Sequence, residues 1–171
     1  RYGASLRVCQ GMKIFFQHKY LLLIAAWLIG TSVLGGLATE IGPWYFSLKQ
    51  PSWKPPDWAF GVIWTIIFIL SAMAWMISFN SNSSQSQKNK ITSLFFLNGF
   101  LNVLWSVFYF RMHHPDWSLI EAGFLWGSVL AIILVMWPIR KLAAALMLPY
   151  LIWVTIAMRL NWETLVLNPG V

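Results

Sequence analysis

The sequence predicts an all-α, polytopic membrane protein, a bundle of five transmembrane helices. Three observations carry that prediction. Hydrophobic residues make up 58% of the 171-residue chain and charged residues only 10%, which leaves too little polar surface to solvate a globule of this size. Five apolar runs, Tyr20–Thr39, Trp58–Phe79, Ile91–Phe110, Ser118–Ile139 and Leu142–Met158, are almost free of charge, and a spanning helix needs roughly 20 such residues. None of the runs shows the polar face that an amphipathic helix of a soluble domain would carry.

Taken in order, a basic segment, 1–19, precedes a single membrane domain, 20–168. Its helices are expected at about 20–39, 58–79, 91–110, 118–139 and 142–162. The first run follows basic residues and ends in Gly35-Gly36-Leu37-Ala38. At about 20 residues it exceeds the ~7–15 of a cleavable signal core, so it reads as a span. Arg140-Lys141 is a minimal turn, which predicts that the fourth and fifth spans are antiparallel neighbours. Asn80–Lys90 is rich in Ser, Asn, Gln and Lys and reads as a solvated linker. The 40–57 connection differs from both. It holds Trp44, Tyr45, Phe46, Leu48 and Trp53, too apolar for water, and Pro51, Pro55 and Pro56 stiffen it. A long loop of this kind reads as a lid packed on the bundle mouth, whereas Trp27, Trp75, Trp117 and Trp137 fit an interfacial aromatic belt.

The net charge of +7 is a topology signal and does not imply a nucleic-acid partner. Odd-numbered spanning collects Arg1, Arg7, Lys13, Lys19, Lys88, Lys90, Arg140 and Lys141 on one side, here side A, with no acid among them. Side B holds Lys49, Lys54, Arg111 and Arg159 with every acid: Glu40, Asp57, Asp116, Glu121 and Glu163. Excess Lys and Arg mark the cytoplasmic side, which predicts a cytoplasmic N-terminus in a multi-pass integral membrane protein. The lone Cys9 has no internal disulfide partner, and no Cys/His cluster offers a metal site.

Polar groups inside the apolar runs point to packing or to function. Asn98 and Asn102 are four apart and project from one helical face, with Trp105 and Ser106 following near it. Two readings stay open for the amides: interhelical hydrogen bonds, typically ~0.6–2 kcal/mol each, or contact with a ligand. Gly99 between them lets a helix or a ligand approach closely. Glu121, one turn into the fourth span, reads as a shallow, hydrated carboxylate. Pro149 frees a carbonyl one turn earlier in the fifth span, and Trp153 lies on the same face. Trp64 is nearly two turns below side B, too deep for a belt. Gly30, Gly35 and Gly36 are candidate small residues for packing the first span on the second.

Trp64, Asn98, Asn102, Trp105, Glu121, Trp153 and Asn161 share a depth, from mid-membrane toward side B, and the lid lies on that side as well. The expected site is a pocket open to side B, walled by indoles and amides. Indole faces favour flat, polarizable ligands, and Lys49 or Lys54 at the rim would meet carboxylates. A porphyrin satisfies both conditions, a sterol or membrane lipid only the apolar one. Haem held through iron needs an axial ligand, and His18, His113 and His114 are the extramembrane histidines. His113 and His114 read as part of a solvated turn, so a metal-free or non-axially bound tetrapyrrole is the expectation, with no cofactor.

Trp44-Tyr45, Leu48 and the stretch Lys49-Gln50-Pro51-Ser52-Trp53-Lys54-Pro55-Pro56-Asp57-Trp58, followed by Trp64, resemble the signature of the translocator protein family, also called tryptophan-rich sensory proteins (TspO). Leu97-Asn98…Leu101-Asn102…Trp105 and Pro149-Tyr150-Leu151-Ile152-Trp153…Leu160-Asn161 are similar to that family's as well. The match runs in register from about Trp44 to Asn168. The resemblance implies a five-helix bundle, usually a homodimer, that binds tetrapyrroles such as protoporphyrin IX and, in some members, cholesterol and benzodiazepine-type ligands. By position, Trp44, Trp53, Trp64, Asn98, Asn102, Trp105 and Trp153 correspond to the family's pocket residues, and the reading above adds Pro149. Trp64 and Trp153 match the pair associated in some bacterial members with light- and oxygen-dependent porphyrin breakdown. No general base, nucleophile or metal centre supports conventional catalysis. The family's cholesterol motif needs Tyr and then a basic residue, whereas Leu160-Asn161-Trp162-Glu163-Thr164-Leu165 has Trp and no Lys or Arg downstream. The readings carried forward are a tetrapyrrole-binding receptor or sensor, a porphyrin or lipid transporter, and an oligomeric membrane scaffold. The transporter reading is disfavoured by the lack of an inverted repeat.

Overall fold

A computed structural model describes residues 2–170 of the protein, with side chains from Lys19 onward; Cys9 and His18 therefore lie outside the described side chains. The elements are α1 (Tyr2–Ala38), α2 (Pro43–Ser47), α3 (Asp57–Phe79), α4 (Gln85–Ser106), a π-helical turn (Val107–Arg111), α5 (Pro115–Met136), α6 (Lys141–Leu146) and α7 (Leu148–Leu167). Five spans, Lys19–Ala38, Asp57–Phe79, Gln85–Arg111, Pro115–Met136 and Lys141–Leu167, are long and apolar enough to cross a membrane. The chain is a multi-pass integral membrane protein.

Local chemistry sets the ends of these helices. Ser84 and Gln87 form a reciprocal cap, Gln87 N–H donating to Ser84 Oγ at 3.2 Å and Ser84 N–H to Gln87 Oε1 at 2.8 Å. That cap starts α4 at Gln85, so the second half of the expected 80–90 linker is helix. Pro115 opens α5 and Pro149 lies in the first turn of α7, where a missing N–H costs nothing. The fifth span is accordingly two helices joined at Met147. In the third span, Met112 N–H reaches Val107 O at 2.9 Å, the wider repeat of a π turn.

The spans close into a ring in the order α3, α1, α4, α5, then α6 with α7, which returns to α3. The short Arg140-Lys141 turn does make the fourth and fifth spans neighbours. The side-A half is a dry core. Trp75 stacks on Phe95 at 4.4 Å and 7°, Trp27 meets both rings edge-on at 6.1 and 5.1 Å, and Ile91, Val129, Ile132 and Met136 fill in around them. Trp27 and Trp75 are thus core residues, which corrects the belt expectation. Apolar neighbours on three helices draw these indoles inward, while Trp117 and Trp137 stay about half exposed. A Cβ on Gly99 would lie 2.6 Å from Thr31 Oγ1 and 2.7 Å from Trp27 Nε1, so Gly99 admits α1 to close contact with α4. Gly30 and Gly36 have open space instead.

Glu121 also departs from expectation. It is 4% exposed, and neither carboxyl oxygen has a protein partner. Ser118, Ala122 and Leu125 on the same face of α5 are buried as well, so rotation of the helix, and not depth, removes the side chain from water.

Candidate ligand site

The lid is a built structure. Its short helix α2 places Tyr45 and then Leu48 against Tyr109 and Phe110 of the π turn. Trp44 stacks flat on His113 at 4.2 Å and meets Tyr109 edge-on. The Tyr45 hydroxyl donates to Asp57 Oδ1 at 2.7 Å, and Lys54 Nζ reaches both Asp57 and, at 3.0 Å, the Tyr45 oxygen. Burial, and then the neighbouring Asp57 carboxylate, push the Tyr45 phenol well above its usual range. The far end of the lid is clasped to α7. Lys49 N–H donates to Asn168 Oδ1, and Asn168 Nδ2 donates to Lys49 O, both at 2.9 Å. Trp53 Nε1 donates to Glu163 Oε2 at 2.6 Å, and Arg159 holds the other oxygen. At its near end, Arg111 bonds Glu40 and the Leu37 carbonyl.

Beneath the lid lies a cavity of about 480 Å³, within the ~300–1,000 Å³ range of small-molecule sites. Trp64, Trp105, Trp153, Phe60 and Phe68 give it aromatic walls, and Lys54, Asp57 and Gln50 a polar rim. Trp153 meets Phe60 edge-on at 5.5 Å, and its indole N–H is buried without a protein partner. Trp105, near the end of α4, stacks on Tyr109 of the π turn at 5.1 Å. Asn102 lines the wall and donates to the Tyr150 hydroxyl at 3.2 Å; that hydroxyl donates to Asn98 Oδ1 at 3.1 Å. Asn98 Nδ2 then reaches Ser128 Oγ at 2.9 Å. One chain of hydrogen bonds links α4, α7 and α5.

Of the residues singled out by sequence, Trp64, Asn102, Trp105, Trp153 and Asn161 meet at the cavity. Trp44 and Trp53 belong to the lid's attachments. Asn98 is fully buried in the interhelical network, away from the cavity lining, and Pro149 marks the α6–α7 junction. Of the rim lysines, Lys54 lines the cavity, while Lys49 contributes its backbone to the clasp. His113 stacks on Trp44, and His114 pairs with Asp116 and stacks on Trp117, which places both in lid and turn packing. Tyr150, Tyr45 and Asp57 stand in the resembling motifs but had not been assigned to the site. Lys54 and Asp57, three apart across a proline pair, were the available signal for the last.

The sequence model of the TspO/MBR family matches residues 21–167. The chain is 33% identical over 156 residues to the protein CrtK of Rhodobacter capsulatus, covering 88% of this chain and 95% of that one. It is 36% identical over 127 residues to the tryptophan-rich protein TspO of Chlorobaculum tepidum, covering 74% and 80% respectively. Against the human translocator protein the identity is 26% over 120 residues, 70% of this chain and 71% of the relative.

Proposed function

The chain belongs to the TspO/MBR family, and from that premise we propose that it is a membrane receptor or sensor that binds a tetrapyrrole of the protoporphyrin IX type beneath the 40–57 lid. The observation that carries this reading is the wall chemistry of the cavity. Four indoles and three phenyl rings line one space, with a lysine at the rim. Aromatic faces stack on a flat macrocycle, and the Lys54 ammonium suits a propionate. Asn102 would contact the ligand edge; Trp44 and Trp53 act through the lid. Haem would bind by its macrocycle, since the two described histidines are engaged in packing.

The relatives named as tryptophan-rich sensory protein and translocator protein are compatible with this role. A sensitiser stacked between Trp64 and Trp153 would also expose two oxidisable indoles to light-generated oxidants, the basis for proposing light-dependent porphyrin breakdown. The same reading takes the N-terminus as cytoplasmic and the assembly as a homodimer, testable by protease access in oriented vesicles and by cross-linking.

Tryptophan-fluorescence quenching by protoporphyrin IX in detergent, first dark and then illuminated, is the direct test. Saturable quenching that weakens in Trp64→Phe and Trp153→Phe is expected, with light-driven spectral loss abolished in the double variant. Non-saturable quenching removes the binding assignment. Undiminished photoproduct in the double variant removes the activity while leaving binding in place.

A further inference from the structure

Five helices in a closed ring meet along five seams, and the residues across each seam decide how a ligand reaches the cavity. The α3–α7 seam is closed by Phe60 on Trp153 and Trp64 on Tyr150. The α1–α4 seam is closed at Gly99 by Trp27 and Thr31, and again where Asn102 sits 3.8 Å from a Cβ built on Gly35. Asn98–Ser128 closes α4–α5. The Asn161 amide on Ser118, with Trp126 on Thr155, closes α5–α7. The aqueous mouth is covered by the lid, tied down at Asn168, Glu163, Asp57 and Arg111.

The α1–α3 seam is different. Its aromatic contacts, Tyr20 with Phe79 and Trp27 with Phe68 and Trp75, lie in the side-A half or at mid-membrane. Between those contacts and the large Trp58 and Ile41 at the side-B end, which also line the cavity, the facing residues are small: Ser32 and Gly36, four apart on α1, and Gly61 and Thr65, four apart on α3. All four line the cavity, and all four are exposed. A residue that does both stands at an opening. A Cβ added at Gly36 or Gly61 would meet nothing within 4 Å. The Thr65 hydroxyl is turned back onto the Gly61 carbonyl at 2.8 Å, so its polar group is satisfied within α3. This stretch belongs to spans long and apolar enough to cross a membrane, so the opening faces the bilayer.

We infer that the cavity is a lipid-side site: its ligand enters and leaves laterally between α1 and α3, from the side-B leaflet, while the lid stays closed. The class of ligand is a planar amphiphile dissolved in the bilayer, its apolar body sliding past the small residues while its acidic end stays at headgroup depth, where Lys54 lies at the rim. The length of the 40–57 connection is consistent with this, because it lets the α1 and α3 ends stand apart. The inference rests on the proposed function only for the identity of the ligand.

The route is tested without a porphyrin. An apolar diazirine dissolved in the lipid of proteoliposomes is photolysed, and its adducts are mapped by mass spectrometry. Wild-type protein is expected to carry adducts on Trp64 and Trp153 inside the cavity as well as on the lipid-facing Ile66 and Leu134. Gly36→Leu with Gly61→Leu should lose the inner adducts and keep the outer ones, which report an intact bundle; Ser32→Leu provides an independent plug. Asn168→Ala, which loosens the lid, should change nothing inside. Inner residues that stay unlabelled in the wild type, inner adducts that survive both plugs, or inner labelling that rises with Asn168→Ala each overturn the lateral route. None of these results bears on the quenching by protoporphyrin IX in detergent, so the two readings fail separately.

Discussion

The two halves of the bundle use the same residue types to opposite ends. In the side-A half, Trp27, Trp75 and Phe95 interlock at ring distances of 4.4 to 6.1 Å and leave no space between them. In the side-B half, Trp64, Trp105 and Trp153 stand around a cavity of about 480 Å³. Tryptophan is core where three helices converge on it and wall where they diverge. A tryptophan-rich chain can therefore build a rigid base and a receptive chamber from one residue, and helix spacing divides the labour.

The largest test of that division removes one indole from each half. Trp75→Ala should cost about 3–5 kcal/mol, the range for deleting a buried aromatic, read as thermal unfolding in detergent. Trp64→Ala should cost less than half as much yet lose saturable porphyrin quenching. Equal losses of stability would erase the distinction between the halves.

A paired glycine test follows. Gly99→Ala forces its Cβ against Thr31 and Trp27 and should destabilise by about 1–3 kcal/mol. Gly61→Ala, which meets open space, should be neutral or stabilising by up to about 1 kcal/mol, because alanine is the better helix former. Both are read from unfolding midpoints.

The asparagines sharpen the boundary between the halves. Asn98→Ala removes the acceptor of the Tyr150 hydroxyl and the donor to Ser128 Oγ, which keep their bonds to Asn102 and the Leu125 carbonyl; a loss of about 1–2 kcal/mol is expected, with porphyrin affinity unchanged in the protein that folds. Asn102→Ala should cost less stability and lower affinity in the quenching titration. The reverse pattern would move the cavity wall to the other amide.

The smallest effect belongs to the lid. Asn168→Ala removes three hydrogen bonds, two to Lys49 of the lid and one to the Thr164 carbonyl, each worth about 0.5–1.5 kcal/mol, from an attachment outside the core. Faster hydrogen exchange across residues 44–53 is expected with the unfolding midpoint nearly unmoved. A global fall in stability would make the lid part of the core.

The span count, the lid's position and the depth of the polar residues were legible in the sequence, because each follows from hydropathy, proline placement or distance along a helix. The helix starts were partly legible. Ser84-x-x-Gln87 is a capping pattern in plain view, and it takes Gln85–Lys90 out of the linker. Glu121 was not legible: hydropathy places it near an interface, but only the rotation of α5 against its neighbours buries it. The same limit explains Asn98 and Asn102. Four residues of spacing put both on one face, yet successive turns drift around the helix axis, so one amide meets Ser128 and the other the cavity.

By itself, then, the sequence determined that this protein is a five-span membrane bundle with a stiff aromatic lid and polar groups toward one end, since those are properties of each segment alone. Tertiary structure decided which tryptophans pack and which line the cavity, which asparagine is structural, and that the α1–α3 seam stands open, since each of these depends on the distance and rotation between segments. Periodicity along a chain records a residue's direction about its own helix axis, and holds no record of what another helix places opposite it.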